Sequence, residues 1–210
     1  AVRSPAGALI AGRLGLGILS LGGHSDAALE SYARNWEICE ETAAAHGRTA
    51  DRRNFRIAVQ MHISETREQA LKDISFGVEQ WGGYARDVLP RGPVPKEVTN
   101  VAEFVTGTGR AIVGTQEDAI REIERMQVGS GEFGVLMFMA HDWADWGATQ
   151  RSYELFARYV MPHFQGQLRP RQASYDEAAK NQPAHREAAA DGVNRAIEEY
   201  ESGVPGSKKY

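Results

Sequence analysis

Cysteine is nearly absent from these 210 residues: Cys39 stands alone, so no disulfide can close within the chain and a reducing compartment is the expected setting. Long apolar runs are missing too. No stretch approaches the roughly 20 residues that a membrane-spanning helix needs. Ala1-Val2-Arg3-Ser4-Pro5 has neither the charged nor the apolar part of a secretion signal. There is no basic excess, since 24 Lys and Arg against 28 Asp and Glu leave a net charge of −4. The basic residues are scattered, apart from Lys208-Lys209 in a polar tail. That balance gives no electrostatic reason for a nucleic acid or an anionic membrane as partner. The six histidines lack metal-type spacing, and neither H-E-x-x-H nor C-x-x-C occurs. A soluble cytoplasmic protein is the expectation.

What the chain does have is an alternation of helical and extended patterns. Ser4-Pro5 reads as a helix opening, with serine as cap and proline at the first helical position. Leu16 to Leu21 is a buried-strand run stopped by Gly22-Gly23, and Ser25 caps the next helix. That helix places Leu29, Tyr32, Ala33, Trp36, Cys39 and Ala43 on one face. Phe55, Ile57, Val59, Met61 and Ile63 alternate with Arg56, Ala58, Gln60, His62 and Ser64, which predicts a strand. Thr66-Arg67-Glu68-Gln69 has the pattern of a capping box, opening a helix that Gly82-Gly83 should stop. Residues 84–112, with Pro90, Pro93 and Pro95, break the rhythm and are expected to form a lid or loop holding one short helix. Thr115 caps a further helix, Phe133 to Met139 reads as a central strand, and a last amphipathic helix carries Tyr153, Phe156, Ala157, Val160, Met161 and Phe164. Residues 167–210 are polar and alanine-rich, a helical or mobile extension. The class is therefore α/β with parallel strands, three of them placed, and an open doubly wound sheet or a closed (β/α) barrel satisfies the pattern equally.

Four segments in one order carry a family resemblance. They are Ser4-Pro5-Ala6-Gly7-Ala8 through Leu19; Phe55 to Ala70; Val113-Gly114-Thr115-Gln116-Glu117-Asp118; and Ser152 to Gly166. Over residues 1–166 the chain resembles the luciferase-like flavin-dependent monooxygenases, and its closing helix is most similar to the limonene-monooxygenase type of branch. The resemblance implies a partial (β/α)8 TIM barrel, about its last three to four β/α units, with a C-terminal helical extension. It also implies that strands one to five, the catalytic histidine and much of the flavin pocket belong to an N-terminal half that these residues do not include. Opening in mid-unit without methionine, the sequence reads as part of a longer protein, inactive alone.

The chemistry implied is oxygenation of a small organic substrate by O2 and reduced FMN, with the flavin reduced by NAD(P)H or by a partner flavin reductase. A homo-oligomer is expected of the complete enzyme. At Ser4, Ala6 and Gly7 a helix N-terminus offers donors to a flavin phosphate, and Arg3 adds positive charge; without the resemblance the same residues read as an ordinary N-cap. His141 and Trp143 follow a strand at the end where (β/α) barrels keep their active sites, so they are candidates to line the substrate pocket. Asp142 reads equally well as a helix cap. Gln60 and His62 could face the barrel mouth or fill its interior. Cys39 is expected to be a packed thiol, and Thr106-Gly107-Thr108-Gly109-Arg110 lacks the lysine and strand–helix context of a phosphate-binding loop. Two other functions remain open: F420-dependent hydride transfer in the same superfamily, and a non-catalytic flavin-binding remnant.

Overall fold

The chain divides into two compact units, residues 1–161 and 162–210. The computed structural model describes residues 4–89, 92–166 and 169–203, which leaves the candidate Arg3 outside the described residues. In the first unit, Pro5 starts helix α1 (Pro5–Leu14), and Gly15 ends it in the left-handed region at φ 70°. A short link reverses the chain into β1 (Ile18–Leu21). Ser25 then caps α2 (Asp26–Ala45), accepting from the Ala28 N–H at 3.4 Å. Gly12 lets α1 close on α2, because a Cβ there would collide with the Cys39 carbonyl and the Thr42 side chain.

The alternating run forms β2 (Phe55–Ile63), the longest strand described, and α3 (Arg67–Ile74) follows it. The Thr66 hydroxyl accepts from the Gln69 N–H at 3.1 Å. Gln69 does not return the bond; its amide donates to Asp73 at 2.6 Å, so only half of the expected capping box forms. The full box is at Thr115 and Asp118, opening the helix that starts at Gln116.

The helix expected to stop at Gly82-Gly83 instead breaks at residues 75–77 and restarts as α4 (Val78–Asp87), which runs through both glycines. Packing overrides the propensity of Gly82, which lies against Val101 with no room for a side chain. Beyond it come α5 (Val101–Gly107), β3 (Ala111–Gly114) and α6 (Gln116–Ser130). β3 is a fourth strand that the sequence reading did not place. At four residues it is too short for periodicity to reveal, and its pairing with β2 is what creates it. Within 84–112, Val94, Val101, Val105 and Ala111 are buried around Trp143.

β4 (Val135–Phe138) completes the parallel sheet. β1 and β4 both pair with Arg56–Ala58 of β2 and so lie on its opposite edges, while β3 pairs with Gln60–Ile63. β4 was expected to be central. Among the described residues its only strand neighbour is β2, and Val135, Met137 and Met139 stay partly exposed. Asp145, not Asp142, caps α7 (Trp146–Leu155), accepting from the Ala148 N–H at 2.9 Å. A π-helical stretch, Phe156–Val160, then widens the coil. Ser152, Leu155 and Val160 are buried, and the expected core residue Tyr153 is exposed.

α8 (Met161–Phe164) is a single helical turn. In the second unit the expected extension is α9 (Arg169–Glu201), 33 residues with Pro183 inside it. No helix among the described residues is long and apolar enough to cross a membrane.

Candidate functional site

A cavity of about 280 Å³ opens where β1 and β4 end, beside Val59 and Gln60 in the middle of β2. Its wall takes Leu21 from β1, Val59 and Gln60 from β2, Trp81 from α4, and Met139 from the end of β4. Leu89, Pro93 and Arg110 come from the excursion at 84–112. Among the described residues apolar side chains dominate, and Gln60 and Arg110 are the polar ones, which is the usual makeup of a small-molecule pocket.

Glycine sets the position of Arg110. Gly22 and Gly23 have φ of 145° and 91°, and a Cβ on Gly23 would collide with the Gly109 carbonyl and with the Arg110 Cα. The His24 N–H donates to the Gly109 carbonyl at 2.6 Å, fastening the end of β1 to this segment. The Arg110 guanidinium carbon lies 5.7 Å from the centre of the Phe104 ring, and its buried Nε has no hydrogen-bond partner.

His141 and Trp143 do not line this cavity. Trp143 is fully buried, stacked on His141 at 4.3 Å and meeting Trp81 edge-on at 4.9 Å. The Trp143 N–H donates to His141 Nδ1 at 3.4 Å. Nε2 therefore carries the ring hydrogen and donates to the Met61 carbonyl at 3.2 Å. Burial pushes the His141 pKa down, against the bond to Met61. The neutral imidazole thus ties the loop after β4 to β2, and Trp143 supports Trp81 from behind the wall.

Near the end of β2, Asp73 of α3 gathers His62 (3.2 Å), Ser64 (2.7 Å) and Gln69 (2.6 Å). Burial raises the Asp73 pKa, but the bonds from Ser64, Gln69 and His62 outweigh it and hold the carboxyl below its usual range. Serine and histidine bond the same carboxylate oxygen, so the imidazole is not placed between hydroxyl and acid as nucleophilic catalysis requires. A second cavity, about 320 Å³, is lined by charged residues including Arg67, Asp118, Arg121 and Arg125. Each of these arginines is already held by a carboxylate. No group of three or more metal-ligating side chains occurs among the described residues.

Ser4 sits exposed at the start of α1 with extended backbone, and its side chain makes no capping hydrogen bond. The Gly7 N–H is turned onto the Ser4 carbonyl at 3.1 Å. Gly12, near the end of α1, meets Cys39 and Thr42 near the end of α2, so the two helices run the same way and the start of α1 lies toward the start of α2, which follows β1.

Trp81, Arg110 and Met139 were not among the site residues that the sequence suggested. Trp81 falls inside the helix that Thr66 opens in sequence, Met139 at the end of a run that reads as central strand, and Arg110 in a glycine-rich segment that fails as a phosphate loop.

Two curated relatives are each 36% identical to the chain. Limonene 1,2-monooxygenase of Rhodococcus erythropolis aligns over 196 residues, 93% of this chain and 50% of the relative. 4-Hydroxyprotoasukamycin monooxygenase of Streptomyces nodosus subsp. asukaensis aligns over 193 residues, 89% and 51%. The chain spans about half the length of these relatives. Among solved structures, the oxygenating constituent of 3,6-diketocamphane monooxygenase from the CAM plasmid of Pseudomonas putida, a type II Baeyer–Villiger monooxygenase in complex with FMN, superposes with a TM-score of 0.59. It shares 21% identity, over 74% of this chain and 45% of that one, a likeness of fold. The sequence model of the luciferase-like monooxygenase family matches residues 1–132, and with the two relatives at 36% identity this chain belongs to that family.

Proposed function

We propose that these residues form one side of a (β/α) barrel whose complete form oxygenates a small organic substrate with O2 and reduced FMN. The observation that carries the reading is the 280 Å³ apolar cavity at the carboxyl ends of β1 and β4, in a chain of this family. The order β1, β2, β4 across the sheet supports the barrel, because consecutive β/α units lie side by side in such a wall. The relatives are about twice as long, so a segment of similar size supplies the rest of the wall in this reading.

Bound FMN, reduced by NAD(P)H or by a partner reductase, supplies the activation of O2. The exposed Ser4 hydroxyl, uncommitted as a cap, fits a phosphate at the start of α1, with the Ala6 N–H beside it; the Gly7 N–H, given to the Ser4 carbonyl, leaves Gly7 to provide room for close approach. Arg3 adds charge there. Leu89 and Pro93 keep water from the cavity, so that the 84–112 excursion serves as its roof. Trp81 and Met139 provide an apolar surface for substrate, while His141 and Trp143 hold Trp81 in place. The two relatives, equal in identity to this chain, carry different substrates in their names. Substrate choice in this reading follows the cavity wall and not overall similarity.

FMN titration followed by quenching of flavin fluorescence tests the assignment. In the complete enzyme, Ser4→Ala is expected to weaken FMN about tenfold, the loss of one bond to a charged group. Unchanged affinity removes Ser4 from the phosphate site, and F420 turnover in place of FMN binding replaces the flavin reading with hydride transfer.

A further inference from the structure

We propose that the cavity at the strand ends takes an apolar organic substrate bearing one carboxylate, and that Arg110 is the residue that selects it. The inference rests on that cavity being the substrate chamber. A cation set in an apolar wall is costly unless it has a partner. Here the described wall of the cavity contains Arg110 and no acidic side chain. The buried Nε of Arg110 has no protein acceptor, and the Phe104 ring lies against the guanidinium.

The fold fixes the backbone that carries this cation. Gly23 admits the Gly109–Arg110 backbone to close approach, and the bond from His24 to Gly109 locks it there. A planar guanidinium held in this way matches a carboxylate better than a neutral oxygen, because it presents paired N–H donors and full charge. Gln60, on β2, offers an amide to the same chamber. Leu21, Val59, Trp81, Leu89, Pro93 and Met139 then accept the hydrocarbon body.

Calorimetric titration of the complete enzyme with cyclohexanecarboxylate and with its neutral isostere, cyclohexanecarboxamide, tests the proposal. The carboxylate is expected to bind roughly 10- to 100-fold more tightly, the range for a hydrogen bond to a charged group. Arg110→Gln should erase that preference while leaving the amide's affinity within about twofold. Arg110→Lys should keep most of the preference, and circular dichroism should show both variants folded. Equal binding of the two probes, or a preference that survives Arg110→Gln, overturns the selection by Arg110 and leaves the chamber standing. No binding of either probe overturns both. The FMN titration of the Ser4 variant reads the flavin assignment independently of all three outcomes.

Discussion

Arg67 grips Asp118 with two guanidinium nitrogens, Nε at 2.7 Å and Nη2 at 2.5 Å, joining the first turn of α3 to the first turn of α6. The Arg121 guanidinium meets the same carboxylate at 2.5 Å, and the Thr115 N–H reaches it at 3.1 Å. Gly114 is the close neighbour on the other side, and a Cβ there would collide with this carboxyl group. One buried carboxylate thus binds together the starts of two helices that follow neighbouring strands.

The Arg67 hydrogen bonds hold the Asp118 carboxyl far below the usual range, against burial, and Arg121 and Thr115 add to the effect. A depressed carboxylate contributes stability above its unfolded value, near 3.9, and loses it as pH falls through the folded value. Asp118→Asn should therefore cost about 1.5–3 kcal/mol at neutral pH. The low end is expected, since both arginines are more than half exposed. Urea denaturation at pH 7 and pH 3 checks it: the gap between wild type and variant should narrow at the lower pH.

His141 has the opposite chemistry and the same direction. Its folded pKa is lowered by burial, so the unfolded chain takes up a proton first as pH drops below about 6.5. Wild-type stability should fall between pH 7 and pH 5. His141→Phe keeps the stack on Trp143, removes both hydrogen bonds, and is expected to cost about 1–3 kcal/mol at pH 7. Thermal melts across that range should show the difference shrinking toward pH 5, and a constant difference would count against this role.

Ser152 substitutes for a strand. β4 ends beside Val59, and further along β2 the buried Ile63 N–H donates to the Ser152 hydroxyl of α7 at 2.9 Å. Ser152→Ala leaves that N–H without a partner, at an expected cost of about 1–3 kcal/mol. Hydrogen exchange at the Ile63 amide should accelerate. Protection equal to that of the wild type would contradict the bond.

Gly82 and Gly83 are neighbours in α4 with opposite expected responses. A Cβ on Gly82 would strike Val101, so alanine there should destabilise the packing of α4 on α5. A Cβ on Gly83 meets nothing within 4 Å. Alanine at that site should stabilise the helix by about 0.5–1 kcal/mol. The two melting temperatures, shifted in opposite directions, provide the check.

The signals that were legible in the sequence are local. Alternation over Phe55–Ile63 needs only nine consecutive residues to show, and Thr115 with Asp118 declares a helix start within four. The family resemblance was legible too, because it lies in residue order. β3 escaped because four residues carry no period, and the restart of α4 escaped because Val101, not any neighbour in sequence, makes Gly82 acceptable within a helix.

The cavity belongs to the other category. Gly23, Gln60, Trp81, Arg110 and Met139 are spread over more than half of the chain, and the parallel register of β1, β2 and β4 brings the ends of β1 and β4 to the middle of β2, where the cavity opens. His141 and Trp143 carried the right sequence position, yet stacking and two hydrogen bonds turn them into support for the wall. Composition, caps and periodicity determined the class of the protein and the run of its elements, since those depend on contacts a few residues apart. Which side chains line the cavity, Arg110 among them, was decided only by tertiary packing, which pairs residues that the chain keeps far apart.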